Sequence, residues 1–138
     1  NNLNQNYFKC GIGGNSLIDL KNNTKKIKNC KIGDVLKNGN TILGITKYKI
    51  TNNDKIYKYK NIITSGTMVV YEDDMWLPVE LCNGIKSYSK IKYLYNIFTT
   101  DNQFSVNNIK FRDYELHNNE ELHKKVDNII INNLNSII

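Results

Sequence analysis

The sequence predicts an all-β domain followed by a C-terminal amphipathic helix. Short apolar and β-branched runs recur at close spacing through residue 112, and polar or Gly-containing turns separate them. After Asp113 the apolar spacing changes from the strand period of about 2 to the helix period of about 3.6. The chain has 138 residues, of which 40% are apolar and 10% aromatic, enough for one packed domain and too ordered a composition for wholesale disorder. No stretch approaches the roughly 18 consecutive apolar residues that span a bilayer.

Residues 1–9 are polar and lack the basic-then-apolar order of a signal peptide; they read as the tail of a longer polypeptide. Ser16–Leu20 is a short apolar run, and Thr24–Ile27 follows it after the Lys21-Asn22-Asn23 turn. Thr41–Ile50 and Lys55–Ile63 are rich in β-branched and aromatic residues. Read as one strand, Lys55–Ile63 sets Tyr57, Tyr59, Asn61 and Ile63 on one face and Lys58 and Lys60 on the other. Gly66–Tyr71 and Met75–Val79 flank Glu72-Asp73-Asp74, a hairpin turn. Ile91–Thr99, Gln103–Val106 and Ile109–Arg112 complete the strands. Asn38-Gly39 and Asn83-Gly84 are turn dipeptides, because both residue types tolerate positive φ. Leu116, Leu122, Val126, Ile129, Ile130, Leu134 and Ile137 then recur at helical spacing among Glu120, Glu121, Lys124 and Lys125. A helix over 119–136, capped by Asn118 or Asn119, would either cover the β domain or dock on a protein partner.

The net charge of +6 is a weak pointer to nucleic acid. The chain holds 24 Asn and no Ala, the mark of an AT-rich genome that pushes surface positions toward Asn and Lys. Its lysines are dispersed from Lys9 to Lys125 and only one Arg is present, so the sequence reads as a solvated basic surface, with no specific nucleic-acid partner expected. Cys10, Cys30 and Cys82 form no C-x-x-C pair, and neither His117 nor His123 stands at metal-finger spacing from one, so no metal or cofactor is expected. Three cysteines leave at least one thiol free, and favour a reducing intracellular compartment or a virion over secretion. Asn22-Asn23-Thr24 is a glycosylation sequon that chance explains at this Asn content.

One stretch is more specific than composition. Cys10-Gly11-Ile12-Gly13-Gly14-Asn15-Ser16 leads through Thr24–Lys28 into Lys31-Ile32-Gly33-Asp34-Val35. It resembles the opening of a Hint domain, the module shared by hedgehog autoprocessing domains, inteins and bacterial intein-like proteins. Thr64-Ser65-Gly66-Thr67 resembles that family's T-x-x-H strand, and Met75–Leu81 its following W-x-x-(V/A)-x-x-L segment. Tyr93-Leu94-Tyr95-Asn96-Ile97 resembles the late V-Y-D-L strand. Phe104–Glu115 resembles the closing segment of a viral and phage-type branch that ends in F-x-D-W/Y-x-E. The resemblance covers residues 8–115 and implies three parts: an upstream tail at 1–9, a Hint domain at 10–115 and a helical appendage at 116–138. It further implies a flattened horseshoe of short strands in two related halves, with Cys10 and the segment near Asp113 meeting at the centre.

In that family the first residue's thiol attacks the preceding carbonyl and turns the amide into a thioester. The resemblance thus makes Cys10 the nucleophile, the Lys9–Cys10 bond the reacting peptide and the upstream polypeptide the substrate. Gly11, Gly13 and Gly14 allow a bent backbone beside that bond. Thr64 takes the position whose hydroxyl orients the scissile amide. Thr67 stands where the family has its His, and a hydroxyl is no general acid near neutral pH. Asn96 replaces an Asp or Cys, Arg112 the penultimate His, and Asp113 the Asn that cyclises in splicing. Tyr114 is no acceptor for ligation, and His117-Asn118 lies beyond the closing strand. Two readings follow: self-processing through a thioester without splicing, or a degenerate Hint domain kept as a structural or interaction module.

Overall fold

The computed structural model describes residues 10–113. The tail at 1–9, the end of the Hint segment at 114–115 and the helix expected over 119–136 lie outside them. Twelve strands run in chain order: β1 (Ile12–Gly13), β2 (Leu17–Asp19), β3 (Thr24–Lys26), β4 (Ile42–Lys49), β5 (Ile56–Tyr59), β6 (Ile62–Ser65), β7 (Val69–Glu72), β8 (Met75–Pro78), β9 (Lys86–Ser87), β10 (Tyr93–Thr99), β11 (Gln103–Val106) and β12 (Ile109–Arg112). They form two antiparallel six-stranded sheets, ordered β4-β10-β1-β6-β5-β9 and β3-β2-β11-β12-β7-β8. The expected all-β class is what the structure has, and each sheet takes strands from both ends of the chain.

Three hairpins are built alike. Lys60-Asn61, Asp73-Asp74 and Asn107-Asn108 each put two consecutive residues at positive φ, between 47° and 67°. A pair of left-handed residues is what a two-residue turn needs to match the right-handed twist of its strands. The flanking registers, Tyr59↔Ile62, Glu72↔Met75 and Val106↔Ile109, close directly on these turns. Asn and Asp occupy such backbone at little cost because their short polar side chains bond locally. The Asn-Gly turns behave as expected, with Gly39 at φ 91° and Gly84 at 75°.

The single strand expected over Lys55–Ile63 is not what forms. Lys55–Ile63 is two strands, β5 and β6, folded back at Lys60-Asn61. The alternation read across it therefore stops at Tyr59, and Ile62 and Thr64 are buried while Ile63 is half-buried. Alternation counted through a turn of non-glycine residues gives a false continuation. Two strands escaped sequence reading altogether, β1 and β9, each only two residues long.

The two halves repeat. Strand β3 runs into a 3₁₀ turn at Ile27–Asn29 and then Cys30; β8 runs into a 3₁₀ turn at Val79–Leu81 and then Cys82. Each Cys N–H closes its turn on the first carbonyl, Ile27 O at 3.1 Å and Val79 O at 2.9 Å. Each buried thiol points back at a carbonyl four residues earlier, Lys26 O at 3.5 Å and Pro78 O at 3.6 Å. A constant shift of 52 residues relates these elements, Ile27 to Val79 and Cys30 to Cys82, and the same shift carries Ile12 to Thr64 and Ile45 to Ile97. Those last two couples are directly paired, Ile12↔Thr64 and Ile45↔Ile97, so the pseudo-two-fold axis passes through both pairings. Ile12, Ile18, Ile27, Ile97, Val70, Val79 and Phe111 are essentially fully buried and fill the space around it.

The hairpin finding is testable. Asn61→Val forces a β-branched residue to φ 67° and is expected to cost about 1–2 kcal/mol. Asn61→Gly is expected to be neutral or better, because Gly adopts that backbone freely. Urea unfolding of the two variants should order them Gly above Val; the reverse order contradicts the turn.

Candidate functional site

Strand β1 lies in the middle of its sheet, with Ile12 paired to Tyr95 of β10 on one edge and to Thr64 of β6 on the other. Cys10 stands two residues before Ile12, half-buried against the core. The side chain that meets it is Asn96, fully buried on β10. The Asn96 amide is oriented by its own backbone: Oδ1 accepts the Ile97 N–H at 2.9 Å. That leaves Nδ2 to donate to Cys10 O at 3.2 Å and to Cys10 Sγ at 3.4 Å, with Met68 Sδ a weaker acceptor at 3.7 Å.

Gly11 is tied to β6 as firmly. Its N–H donates to Ser65 Oγ at 3.1 Å, and its carbonyl accepts the Ser65 N–H at 2.9 Å. A Cβ at Gly11 would lie 2.6 Å from Tyr95 O and 2.9 Å from the Tyr48 hydroxyl, so only glycine fits between β10 and β6. Thr64, fully buried, aims its hydroxyl at Gly11 O (3.4 Å) and Ser65 O (3.2 Å). Its contact is therefore with a carbonyl two peptide units beyond the Lys9–Cys10 bond. Thr67, in the turn after β6, is half-buried, and its hydroxyl lies 3.1 Å from Ser65 Oγ. It reaches Gly11 through Ser65. A cavity of about 180 Å³ opens beside this hydroxyl pair, lined among others by Tyr48, Ser65, Thr67 and Glu80. Burial pushes the Glu80 carboxyl above its ordinary value, with Lys55 opposing.

Asp113 closes the far end of the described chain. It is nearly buried, its N–H donates to Asn102 O at 3.0 Å, and its Oδ2 accepts both the Thr99 N–H and, at 2.9 Å, the Thr99 hydroxyl. Its charge is felt at the Cys10 thiol. Burial pushes that thiol up to about 12; the Asn96 hydrogen bond pulls the other way, and Asp113 adds to the rise. Asp113 thus lies within electrostatic reach of Cys10, Lys9 itself lying outside the described residues. Cys30 and Cys82 have carboxylates nearby but no amide donor such as Asn96. Burial raises them to about 11 and about 12, with Asp34 and Glu72 adding, and their thiols face backbone carbonyls. They are packing residues.

Of the residues expected to form the site, Thr64 contacts Gly11 directly and Thr67 reaches it through Ser65, while Asp113 is held by Thr99 and acts on Cys10 by its charge. Two contributors were not chosen. Asn96 appeared in the sequence only as a substitution, and Ser65 carried no signal, since a Ser beside a Thr in a strand is unremarkable. Among the described residues no group of three His, Cys, Asp or Glu is placed to hold a metal ion.

No family model matches the sequence, and no curated protein is significantly similar to it. Solved structures are. The gp41-1 intein superposes with a TM-score of 0.61 at 19% identity, over 75% of this chain and 98% of that one. A substituted form of the same intein gives 0.56 at 13% identity, over 75% of this chain and 99% of that one. The chain has an intein-like Hint fold. At these identities the likeness is one of fold, and it spans nearly the whole of the inteins compared. Within this Hint fold the Cys10-Gly11 corner and Asn96 lie where the halves meet.

The thiols make the stability of this Hint domain pH-dependent. An unfolded thiol ionises near its ordinary value of 9.0, whereas folded Cys30 and Cys82 hold their protons to about 11 and about 12. The unfolded state therefore binds fewer protons above pH 9, and stability should fall as pH rises, by up to about 1.4 kcal/mol per pH unit for each thiol. Urea midpoints between pH 8 and pH 10.5 check this. Cys82→Ala should lower the level and flatten the slope; an unchanged slope contradicts the assignment.

Proposed function

We propose that this Hint domain processes the polypeptide upstream of it through an N-to-S acyl shift at Lys9–Cys10, ending in cleavage or transfer and not in splicing. Cys10 Sγ attacks the Lys9 carbonyl carbon; its proton is lost, the Lys9–Cys10 nitrogen departs protonated, and the Lys9 acyl group becomes a thioester on Sγ. Water or another nucleophile then takes the acyl group and returns the thiol. Within this reading residues 10–115 form the processing domain, 1–9 the segment released and 116–138 an appendage.

The observation that carries the reading is the Asn96 amide, fixed by Ile97 and donating to both the carbonyl and the sulfur of Cys10. A donor on sulfur favours the thiolate that must attack, against the burial that disfavours it. The Asp113 carboxylate, held by Thr99, stands within electrostatic reach as an acceptor for the thiol proton. Ser65 and Thr64 of β6 hold the Gly11 N–H and carbonyl, so the backbone next to the reacting bond is fixed before reaction. Chemistry is slow in this reading. A thiol near 12 leaves only about one sulfur in 10⁵ ionised at pH 7, and no imidazole is supplied by residues 10–113.

Those last two facts favour a second reading, a degenerate Hint domain kept as a structural module. A reporter fused upstream of Asn1 separates the two. Processing predicts loss of the reporter at Lys9 by intact mass, faster with a small thiol or hydroxylamine, abolished by Cys10→Ala, and rising about tenfold per pH unit between 7 and 9. A fusion that survives both nucleophiles for days leaves only the module. Restoring an imidazole with Thr67→His should speed cleavage at pH 7 by about tenfold or more, since a placed general acid is worth roughly 10²–10⁴. No acceleration would mean that the turn after β6 does not face the reacting amide.

A further inference from the structure

Three lysines from two distant parts of the sequence, Lys28 and the pair Lys90 and Lys92, come together in the fold. A groove of about 530 Å³ crosses the junction of the two sheets, floored by Gly13, Gly14 and the start of β6. Lys28 enters it from the first 3₁₀ turn, and Lys90 and Lys92 from the segment leading into β10; all three are exposed. Tyr88, Tyr93 and Tyr95 stand among them. Among the described residues that line it there is no Asp or Glu, in a chain that holds 13. Lys47 covers one face of the Tyr93 ring, its Nζ 4.4 Å from the ring centroid, and leaves the other for a ligand.

We propose that this groove binds a phosphate-bearing planar base, a nucleotide unit either free or carried in a single strand. Three ammonium groups with no carboxylate among them attract phosphate as unopposed point charges. Tyrosine rings offer flat faces on which any base stacks, a contribution of about 1–3 kcal/mol per base, and Tyr93 is 41% exposed. Exposed Asn15, Asn61 and Asn107 on the lining bring both donors and acceptors to a base edge. The volume lies within the roughly 300–1,000 Å³ of small-ligand sites. An acidic peptide would meet the lysines but leave the rings unused. Because the groove is built from residues other than Cys10, Asn96 and Asp113, this inference does not rest on the acyl-shift reading.

The test uses the full chain carrying Cys10→Ala, so that backbone cleavage plays no part, and fluorescence anisotropy of a short labelled oligothymidylate. Three lysine–phosphate contacts predict saturable binding whose affinity falls with salt at a log–log slope of about −2. Lys28→Gln, Lys90→Gln and Lys92→Gln together should weaken it about tenfold or more, whereas Lys21→Gln, Lys49→Gln and Lys86→Gln should leave it within about twofold. Tyr93→Leu should weaken the oligonucleotide about fivefold or more while leaving inorganic polyphosphate unaffected. Competition by adenosine monophosphate identifies a free nucleotide as sufficient; failure of that competition, with the strand still bound, identifies the single strand. The proposal is overturned if no saturable binding occurs, if poly-glutamate binds as tightly as the strand, or if the two lysine triplets weaken binding equally.

Discussion

Everything at this site depends on a two-residue strand. β1 is hydrogen-bonded on both edges, to β10 and to β6, and it is the piece that joins the two halves of its sheet. A strand in that position takes whatever precedes it into the middle of the molecule. Cys10 is therefore half-buried not because a thiol prefers such a place but because Ile12 must be paired on both sides. The cost appears in the acidity of the sulfur, which burial drives to about 12. Asn96 answers part of that cost with a donor whose direction its own backbone contact fixes.

The repeat of 52 residues explains why the centre lies where it does. Corresponding parts of the two halves cross at Ile12↔Thr64 and at Ile45↔Ile97, and the residues flanking those crossings, Cys10, Gly11, Ser65 and Asn96, are brought together by the axis. The symmetry is broken by chemistry rather than by backbone. Cys30 and Cys82 are equivalent in position, both thiols facing backbone carbonyls, while the counterpart of Cys10 under the same shift is the apolar Ile62. One thiol of the three thus stands where a carboxylate, an amide and two hydroxyls converge on its neighbourhood, and the other two face carbonyl oxygens.

A Hint fold stripped of histidine between residues 10 and 113 is an informative variant of its scaffold. Thr67 keeps a hydroxyl beside Ser65 Oγ, which keeps Gly11 in place. Fixing a backbone and supplying a proton are separable duties, and this turn, with its hydroxyl pair, visibly serves only the first. The cavity beside it, with Glu80 raised by burial, leaves room for a larger side chain at Thr67.

The sequence by itself determined the fold class and most strand positions, because these follow from local rules, and its ordered motifs pointed to Cys10. β-branched runs pair, Asn-Gly and Asp-Asp turn, and ordered short motifs survive when overall identity does not. It misled at Lys60-Asn61, where a turn without glycine continues an alternating pattern, and it was silent on β1, whose Gly11, Ile12 and Gly13 have no strand signature until two neighbours supply the pairing. Only the tertiary structure decided that Asn96 and Ser65, from strands more than fifty residues away from Cys10, hold the Cys10-Gly11 corner, and that Lys28 joins Lys90 and Lys92 around one groove. The physical reason is the same in each case. Strand pairing brings together residues that are distant along the chain, and a hydrogen bond or a shared field depends on that distance in space, which no local pattern records.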